Sequence, residues 1–405
     1  MGYKKDVIKG VSWTGSLSFF TKAIGFLETI ILARILAPEQ FGAYAIALLA
    51  LGLLEVLTET GVNIVLIQEK EIDHLVSSAW VVSIFRGLFI AAILFLSAPF
   101  IAQFFNSPLS LTLLTLISIA PLIRGFINPS VVKFQKELMF GKDFGYKFTV
   151  LLIDTSFSIL VTYLTQNPVG IVIGLLVGVI TEMLLSYFIV LPRPSFQFEK
   201  TYIAKIFHRG KWITATTIFD YLFHNADNII VGRLLGAAYL GIYQLAYSIA
   251  VTPLTEVGKV FLQVSLPIFV KIGIDGKRLR SAFIKMCLSI FCITFPVVLI
   301  LYFSPSIFVF LLGNKWAAIT AIIPLLALLG FLNAFVNACT SLFLSVQKQN
   351  YATVVTFINI VVLLIAIVPL VHMYGIFGAG LAALIGVMTS FPFVIYYTVK
   401  ILKFI

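Results

Sequence analysis

The chain has 405 residues, 60% hydrophobic and only 11% charged, with a mean hydropathy of +1.07. Soluble domains carry about 25% charged residues, so this composition excludes a soluble enzyme or binding module. The net charge of +11 sits in short loops between long apolar runs; there it faces anionic lipid, and a nucleic-acid partner is not its explanation.

A helix needs about 20 apolar residues to cross the hydrocarbon core. Twelve such spans are predicted, at roughly 11–36, 41–66, 78–104, 109–130, 145–166, 168–191, 212–235, 237–265, 281–303, 318–345, 351–372 and 375–400. Period-two alternation is absent, which argues against an outer-membrane barrel. With the N-terminus inside, 20 of the 28 cations fall on the inner side. The positive-inside rule therefore puts both termini in the cytoplasm, in a cell inner membrane. The first span is long and interrupted by Lys22 and Glu28, so it reads as a retained helix and not a cleaved signal.

An ionisable residue inside a span is costly, and it either pairs structurally or functions. Span 1 carries Thr14, Ser18, Thr21, Gly25 and Glu28 on one helical face, with Lys22 beside it. Lys22 lies about 11 residues, or ~16 Å, from the inner end, too deep to reach water without a cavity. Span 2 adds Glu55, Glu59 and Asn63 at four-residue spacing. Arg86 and Arg124 lie in the cytoplasmic halves of spans 3 and 4. Span 5 offers Asp154 and span 6 offers Glu182; Gly170, Gly174 and Gly178 in span 6 suit close helix packing.

A linker from Leu191 to Lys211, with Pro192 and Pro194, joins two halves, 1–197 and 198–405. Span 7 then carries Thr217, Asp220, His224 and Asp227 on one face. His224 reads first as a neutral hydrogen-bonded residue, with a proton relay as the other reading. Span 8 holds Thr252, Glu256 and Lys259, and span 10 an Asn333, Asn337 and Thr340 stripe that suits interhelical bonding. Arg34 and Arg233, at outer span ends, can snorkel to the interface and anchor there. Pro121, Pro253 and Pro296 are candidate bending points. Cys287, Cys292 and Cys339 lack metal spacing and read as packing residues. No Walker-type phosphate loop, metal cluster or nucleophile elbow occurs, so no enzyme and no cofactor is expected.

The halves repeat one another. At one fixed offset Trp13 meets Trp212, Phe20 meets Phe219, Ile30 meets Ile229, Arg34 meets Arg233, Gly42 meets Gly241 and Tyr44 meets Tyr243. Glu28 falls on Asp227, and Thr21 and Gly25 fall on Asp220 and His224. Two parallel halves related by an axis along the membrane normal point to alternating-access transport, with the two polar faces on a shared cavity.

The stretch ADNIIVGRLLGAAYLGIYQLAYSIAVTPL at 226–254 resembles the hallmark of bacterial polysaccharide flippases, the Wzx-like branch of the MATE-like MOP exporter superfamily. The segments ARILAPEQFGAYAIA at 33–47, VVKFQKELMFGKDF at 131–144 and LLGNKWAAITAIIPLLAL at 311–328 resemble further family elements. The resemblance implies an all-α polytopic membrane protein of about twelve helices in two pseudo-symmetric six-helix lobes. It implies a carrier that moves an isoprenoid-diphosphate-linked oligosaccharide, a unit of O-antigen, capsule or exopolysaccharide, from the inner to the outer leaflet. A polysaccharide polymerase and other assembly proteins would be partners, and a monomer suffices, since the two lobes already make the cavity. Lys22, Arg86 and Arg124 are assigned to the diphosphate on depth and charge alone. Glu28, Asp154, Asp220, His224 and Asp227 are assigned to sugar hydroxyls, to those cations or to a coupling ion. A cation-coupled multidrug exporter of the same superfamily is the alternative.

Overall fold

The structure is a computed structural model that describes residues 2–59, 61–69, 73–196, 217–218, 221–222, 224–273 and 275–404. Every regular element among them is helical. The cause is the solvent: with no water to receive N–H and C=O groups, each segment must bond its backbone internally.

Eleven described helices are long and apolar enough to cross a membrane. Each overlaps one of the predicted spans, eleven of the twelve in all, with the ends shifted most for spans 2 and 8. The other, predicted at 212–235, lies mostly outside the described residues; its end, 224–235, is helical. The boundary expected near residue 198 also lies outside them. The chain divides into two compact units between Asn225 and Ala226. Tyr221 shows why the segment just before that point groups with the first unit. Its hydroxyl donates to the Leu49 carbonyl at 2.6 Å, and its ring lies against Gly52.

The first unit contains α1 (Gly2–Ile35), α2 (Pro38–Leu57), α3 (Val62–Gln68), α4 (Asp73–Phe104), α5 (Pro108–Ile117), α6 (Ile119–Gly125), α7 (Phe140–Thr165) and α8 (Val169–Ile189). Proline opens α2 and α5, where its missing N–H leaves no bond unmade. The core joins α2, α4, α5 and α8 through Ala43, Ala47, Leu94, Leu113, Leu114 and Val172. Alanines of α2 and α4 (Ala43, Ala47, Ala98, Ala102) sit among the larger side chains. Lipid gives helices no hydrophobic reason to associate, and small residues allow the close van der Waals approach that supplies one.

Two expected continuous spans are broken. The predicted span 2 ends as a helix at Leu57 and restarts at Val62, with Gly61 at φ 65° making the turn. Glycine suits that left-handed conformation because it has no Cβ to clash. The predicted span 8 breaks between α10 (Ala237–Ala250) and α11 (Thr252–Ile272). Pro253 sits in the first turn of α11, so this candidate bending point is where a helix starts. Pro296, by contrast, lies inside an unbroken helix.

The second unit holds the helix 224–235 from Ala226 onward, here called α9, then α10 and α11, α12 (Gly276–Phe303), α13 (Ser306–Leu312), α14 (Ile323–Ser345), α15 (Gln349–Tyr374) and α16 (Ile376–Phe404). Its core gathers Phe269, Leu279, Met286, Leu342, Phe343 and Ile401. The three cysteines are free: Cys339 is buried and Cys287 partly buried, as packing residues, while Cys292 is exposed. Trp316, in the 3-10 turn Asn314–Ala321, is fully buried, which accounts for the apolar character of that connection.

The α7–α8 hairpin is the closest packing in the first unit. Gly170, Gly174 and Gly178 of α8 face Thr162, Ser158 and Asp154 of α7 in turn. A Cβ on Gly174 would stand 2.6 Å from the Ser158 Cα, inside backbone that cannot yield. Gly174→Ala is therefore expected to lower the thermal midpoint in detergent by the equivalent of about 1–3 kcal/mol. Gly15→Ala, which meets nothing within 4 Å, should leave it unchanged. Equal behaviour of the two variants would contradict this packing.

Candidate functional site

The charged residues of the first unit converge on Arg124, in the last turn of α6. Its Nη1 donates to the Glu55 carboxylate of α2 in an ion pair. Arg124 also acts electrostatically on Asp154 of α7 and Glu182 of α8. Glu28 of α1 and Asp154 lie in each other's field, and Tyr44 of α2, partly buried, feels Glu28, Asp154 and Arg124 electrostatically. Glu28 is held by the Thr155 hydroxyl, which donates to its Oε2 at 3.0 Å. Five helices thus supply one polar cluster.

Arg86 of α4 performs a second task. Its Nη2 donates to the Glu55 carbonyl at 2.7 Å, its Nε donates to Thr58 Oγ1 at 3.2 Å, and it pairs with Glu59 at 3.4 Å. Helix α2 ends at Leu57, so the Glu55 carbonyl is one of the last-turn acceptors left without a helical partner. A cation at a helix C-terminus also meets the negative end of the helix dipole. Glu59 closes the break by accepting from the Gly61 N–H at 3.0 Å. Arg86 and Arg124 therefore hold the same helix end, one through its carbonyl and hydroxyl, the other through its carboxylate.

The other residues singled out in the sequence are distributed as follows. Lys22 has an exposed side chain on α1, and His224 is exposed on α9. Asp220 lies outside the described residues. Asp227 is buried in the second unit, where the Tyr243 hydroxyl donates to its Oδ2 at 2.9 Å and the Asn228 N–H to its Oδ1 at 2.8 Å. The structure therefore brings together Glu28, Asp154 and Arg124, with Arg86 joined through Glu55. Thr155, Thr58, Tyr44 and Tyr243 complete these contacts. The repeat had aligned Tyr44 with Tyr243 without showing a role for either, and no sequence signal marked Thr155 or Thr58: hydroxyl residues are common in spans and gain meaning only from their neighbours.

Among the described residues, no group of three or more His, Cys, Asp or Glu side chains is placed to hold a metal. A cavity between α14 and α16 is lined by Leu332, Met388, Phe391, Pro392 and Ile395, and offers no charge to an anion or hydroxyl to a sugar.

Comparison with known proteins bears on what this cluster serves. Residues 31–321 match the family described as polysaccharide biosynthesis protein. The lipopolysaccharide biosynthesis protein WzxC of Escherichia coli (strain K12) is 28% identical over 354 residues, covering 86% of this chain and 72% of that protein. Among solved structures, the lipid II flippase MurJ in an inward closed conformation matches with a TM-score of 0.74 at 16% identity, over 96% of this chain and 88% of that one. An inward-facing multidrug resistance MATE transporter of the MOP superfamily matches at 0.69 and 14%, over 95% of each. At such identities these two structures speak for a common all-helical membrane fold.

Two outcomes test the geometry. The Glu55–Arg124 pair is about one-third exposed, so its coupling is modest. Glu55→Gln and Arg124→Gln combined should cost less than the sum of the single variants, by about 1 kcal/mol in a thermal or denaturant double-mutant cycle. Strict additivity would show that the pair does not interact. Tyr243→Phe removes a donor from a buried carboxylate and should destabilise the protein by about 1–3 kcal/mol, read as a lowered melting midpoint in detergent.

Proposed function

The chain belongs to the polysaccharide biosynthesis protein family, and from that premise we propose that it is a flippase for a lipid-linked saccharide. The substrate in this reading is an isoprenoid-diphosphate-linked oligosaccharide, a repeat unit of O-antigen, capsule or exopolysaccharide. It moves from the inner to the outer leaflet of the cytoplasmic membrane by alternating access, and a polysaccharide polymerase then receives it. The protein works as a monomer with both termini in the cytoplasm, its lobe boundary in the linker near residue 198.

The observation that carries this reading is the pair of guanidiniums, Arg86 and Arg124, held inside membrane-spanning helices. A diphosphate needs such donors, because Arg presents a planar fork that matches phosphate oxygens. Both forks already have carboxylate partners. Each guanidinium has five N–H donors, and Arg124 gives one to Glu55, so a diphosphate can take the remaining donors while the carboxylate partners keep theirs. The paired state that precedes substrate avoids a bare cation in hydrocarbon. Lys22, exposed on α1, adds a third cation to the substrate's route. Glu28 and Asp154, two carboxylates in each other's field, offer sugar hydroxyls an acceptor, or take up a proton or cation that returns during the cycle. Asp220, His224 and Asp227 serve the same ends from the second half of the repeat.

An acid excess around Arg124 supports the second reading, a cation-coupled multidrug exporter. Carboxylates without enough cations attract cationic drugs.

Purified protein in proteoliposomes distinguishes the two. With an undecaprenyl-diphosphate oligosaccharide, wild type should expose the glycan to an impermeant reagent. Arg86→Gln and Arg124→Gln should each reduce that rate by roughly 10–100-fold, the worth of one charged hydrogen bond. Arg124→Lys should recover part of it, because charge survives while the fork is lost. Efflux of cationic dyes without glycan exposure would overturn the flippase reading.

A further inference from the structure

Seven of the eleven cations of the second unit gather at one end of its helices; Arg233, Lys259, Lys285 and Lys315 lie elsewhere along them. Lys271 closes α11, Lys277, Arg278 and Arg280 open α12, Lys348 precedes α15, and Lys400 and Lys403 close α16. These helix ends share one core: Phe269, Leu279, Phe283, Phe343, Val355 and Ile401 pack together beneath them. All seven cationic side chains are exposed above that core. In the sequence stretches 265–282, 338–358 and 390–404 that supply this end, the one acid is Asp275, and Arg278 takes it at 3.1 Å.

The same end carries a tyrosine cluster. Tyr351 and Tyr397 stack at 4.1 Å with their planes 8° apart, Phe343 meets both rings edge-on, and Tyr396 lies beside Tyr397. The Lys400 ammonium sits 5.9 Å from the centre of the Tyr396 ring. Tyrosine prefers the headgroup level, where its ring is in an apolar layer and its hydroxyl is wet. The cluster therefore marks the depth of the phosphate layer on this unit. Lys400 and Lys403 stand one and two turns beyond it.

We propose that this end of the second unit is a docking surface for anionic phospholipid headgroups, of the phosphatidylglycerol and cardiolipin class, in the leaflet that flanks it. Charge decides the occupant: seven cations against one paired acid leave six positive charges at headgroup depth, where a zwitterionic lipid would leave them uncompensated. The first unit differs. There Lys147 pairs with Asp143, and the Lys136 ammonium donates to the Glu69 carbonyl. The proposal rests on the membrane fold alone, and not on what the protein transports.

Native mass spectrometry of the purified protein from mixed micelles of phosphatidylglycerol and phosphatidylcholine tests it. Wild type should retain phosphatidylglycerol in preference, and the preference should fall about fivefold for each cation neutralised, the effect of one Lys or Arg at an anionic surface. Lys348→Gln with Lys400→Gln, and separately Lys277→Gln with Arg280→Gln, should show that loss. Lys400→Arg should not, and neither should Lys259→Gln, a cation of the same unit paired with Glu256 instead. Equal retention of the two lipids by wild type, or unchanged preference in both double variants, would overturn the proposal. So would displacement of the lipid by millimolar inorganic pyrophosphate, which would assign the surface to a free or substrate diphosphate.

Discussion

A guanidinium inside a lipid-embedded bundle must be neutralised where it stands, and the first unit is arranged around that requirement. Removing a charge from water costs several kcal/mol, so Arg124 can exist only where acids from other helices reach it. Glu55 pairs with it, while Asp154 and Glu182 share its field. Each of these acids is in turn tolerable only because Arg124 is present. The dependence is mutual, which fixes the rotation of α2, α6, α7 and α8 about their own axes. Apolar packing alone would specify those rotations weakly, since the helices are apolar nearly all the way round.

The break in α2 follows from the same economy. A helix end within a membrane leaves carbonyls that lipid cannot satisfy. Arg86 supplies donors to the carbonyl of Glu55 and the hydroxyl of Thr58, so the end survives. The same residue then faces Glu59, whose other oxygen accepts from Gly61. Structure and charge are thus not separable here: the groups best suited to a diphosphate are also those that finish a helix. A substrate that drew Arg86 away would loosen the turn between α2 and α3, and this couples occupancy to conformation without any further part.

The spans were legible because hydrophobic length is a one-dimensional property. Eleven of them overlap helices long enough to cross the membrane, though the ends of spans 2 and 8 were misplaced by nine residues or more, and Arg86, Arg124, Glu28 and Asp154 stood out as ionisable groups within them. The break at Val251 was partly legible, because Pro253 marked a bending point two residues on. The break at 58–61 was not predicted, although Thr58, Glu59, Thr60 and Gly61 interrupt the apolar run; it depends on a donor from α4 that no local pattern reveals. The partner Thr155 was missed for a related reason, and Tyr243, aligned with Tyr44 by the repeat, was not seen as a donor to Asp227. The repeat aligns Glu28 with Asp227, yet the two acids are satisfied differently, one by a threonine on a distant helix and the other by a tyrosine sixteen residues along. Sequence symmetry preserved the acid while its hydrogen-bond donor changed.

The glycine face of α8 bears on how the chain enters the bilayer. A carboxylate in mid-helix costs roughly 2.5–3.5 kcal/mol when a segment is inserted alone, and α7 carries Asp154 there. Only Gln166, Asn167 and Pro168 separate α7 from α8, and Gly178 receives the Asp154 Cβ as the two helices close. The pair can therefore leave the insertion machinery as one hairpin, its acid shielded on one side by glycine backbone before Arg124 is reached. Synthesis order and packing agree: the least lipid-compatible residue of α7 is covered by the next helix to emerge.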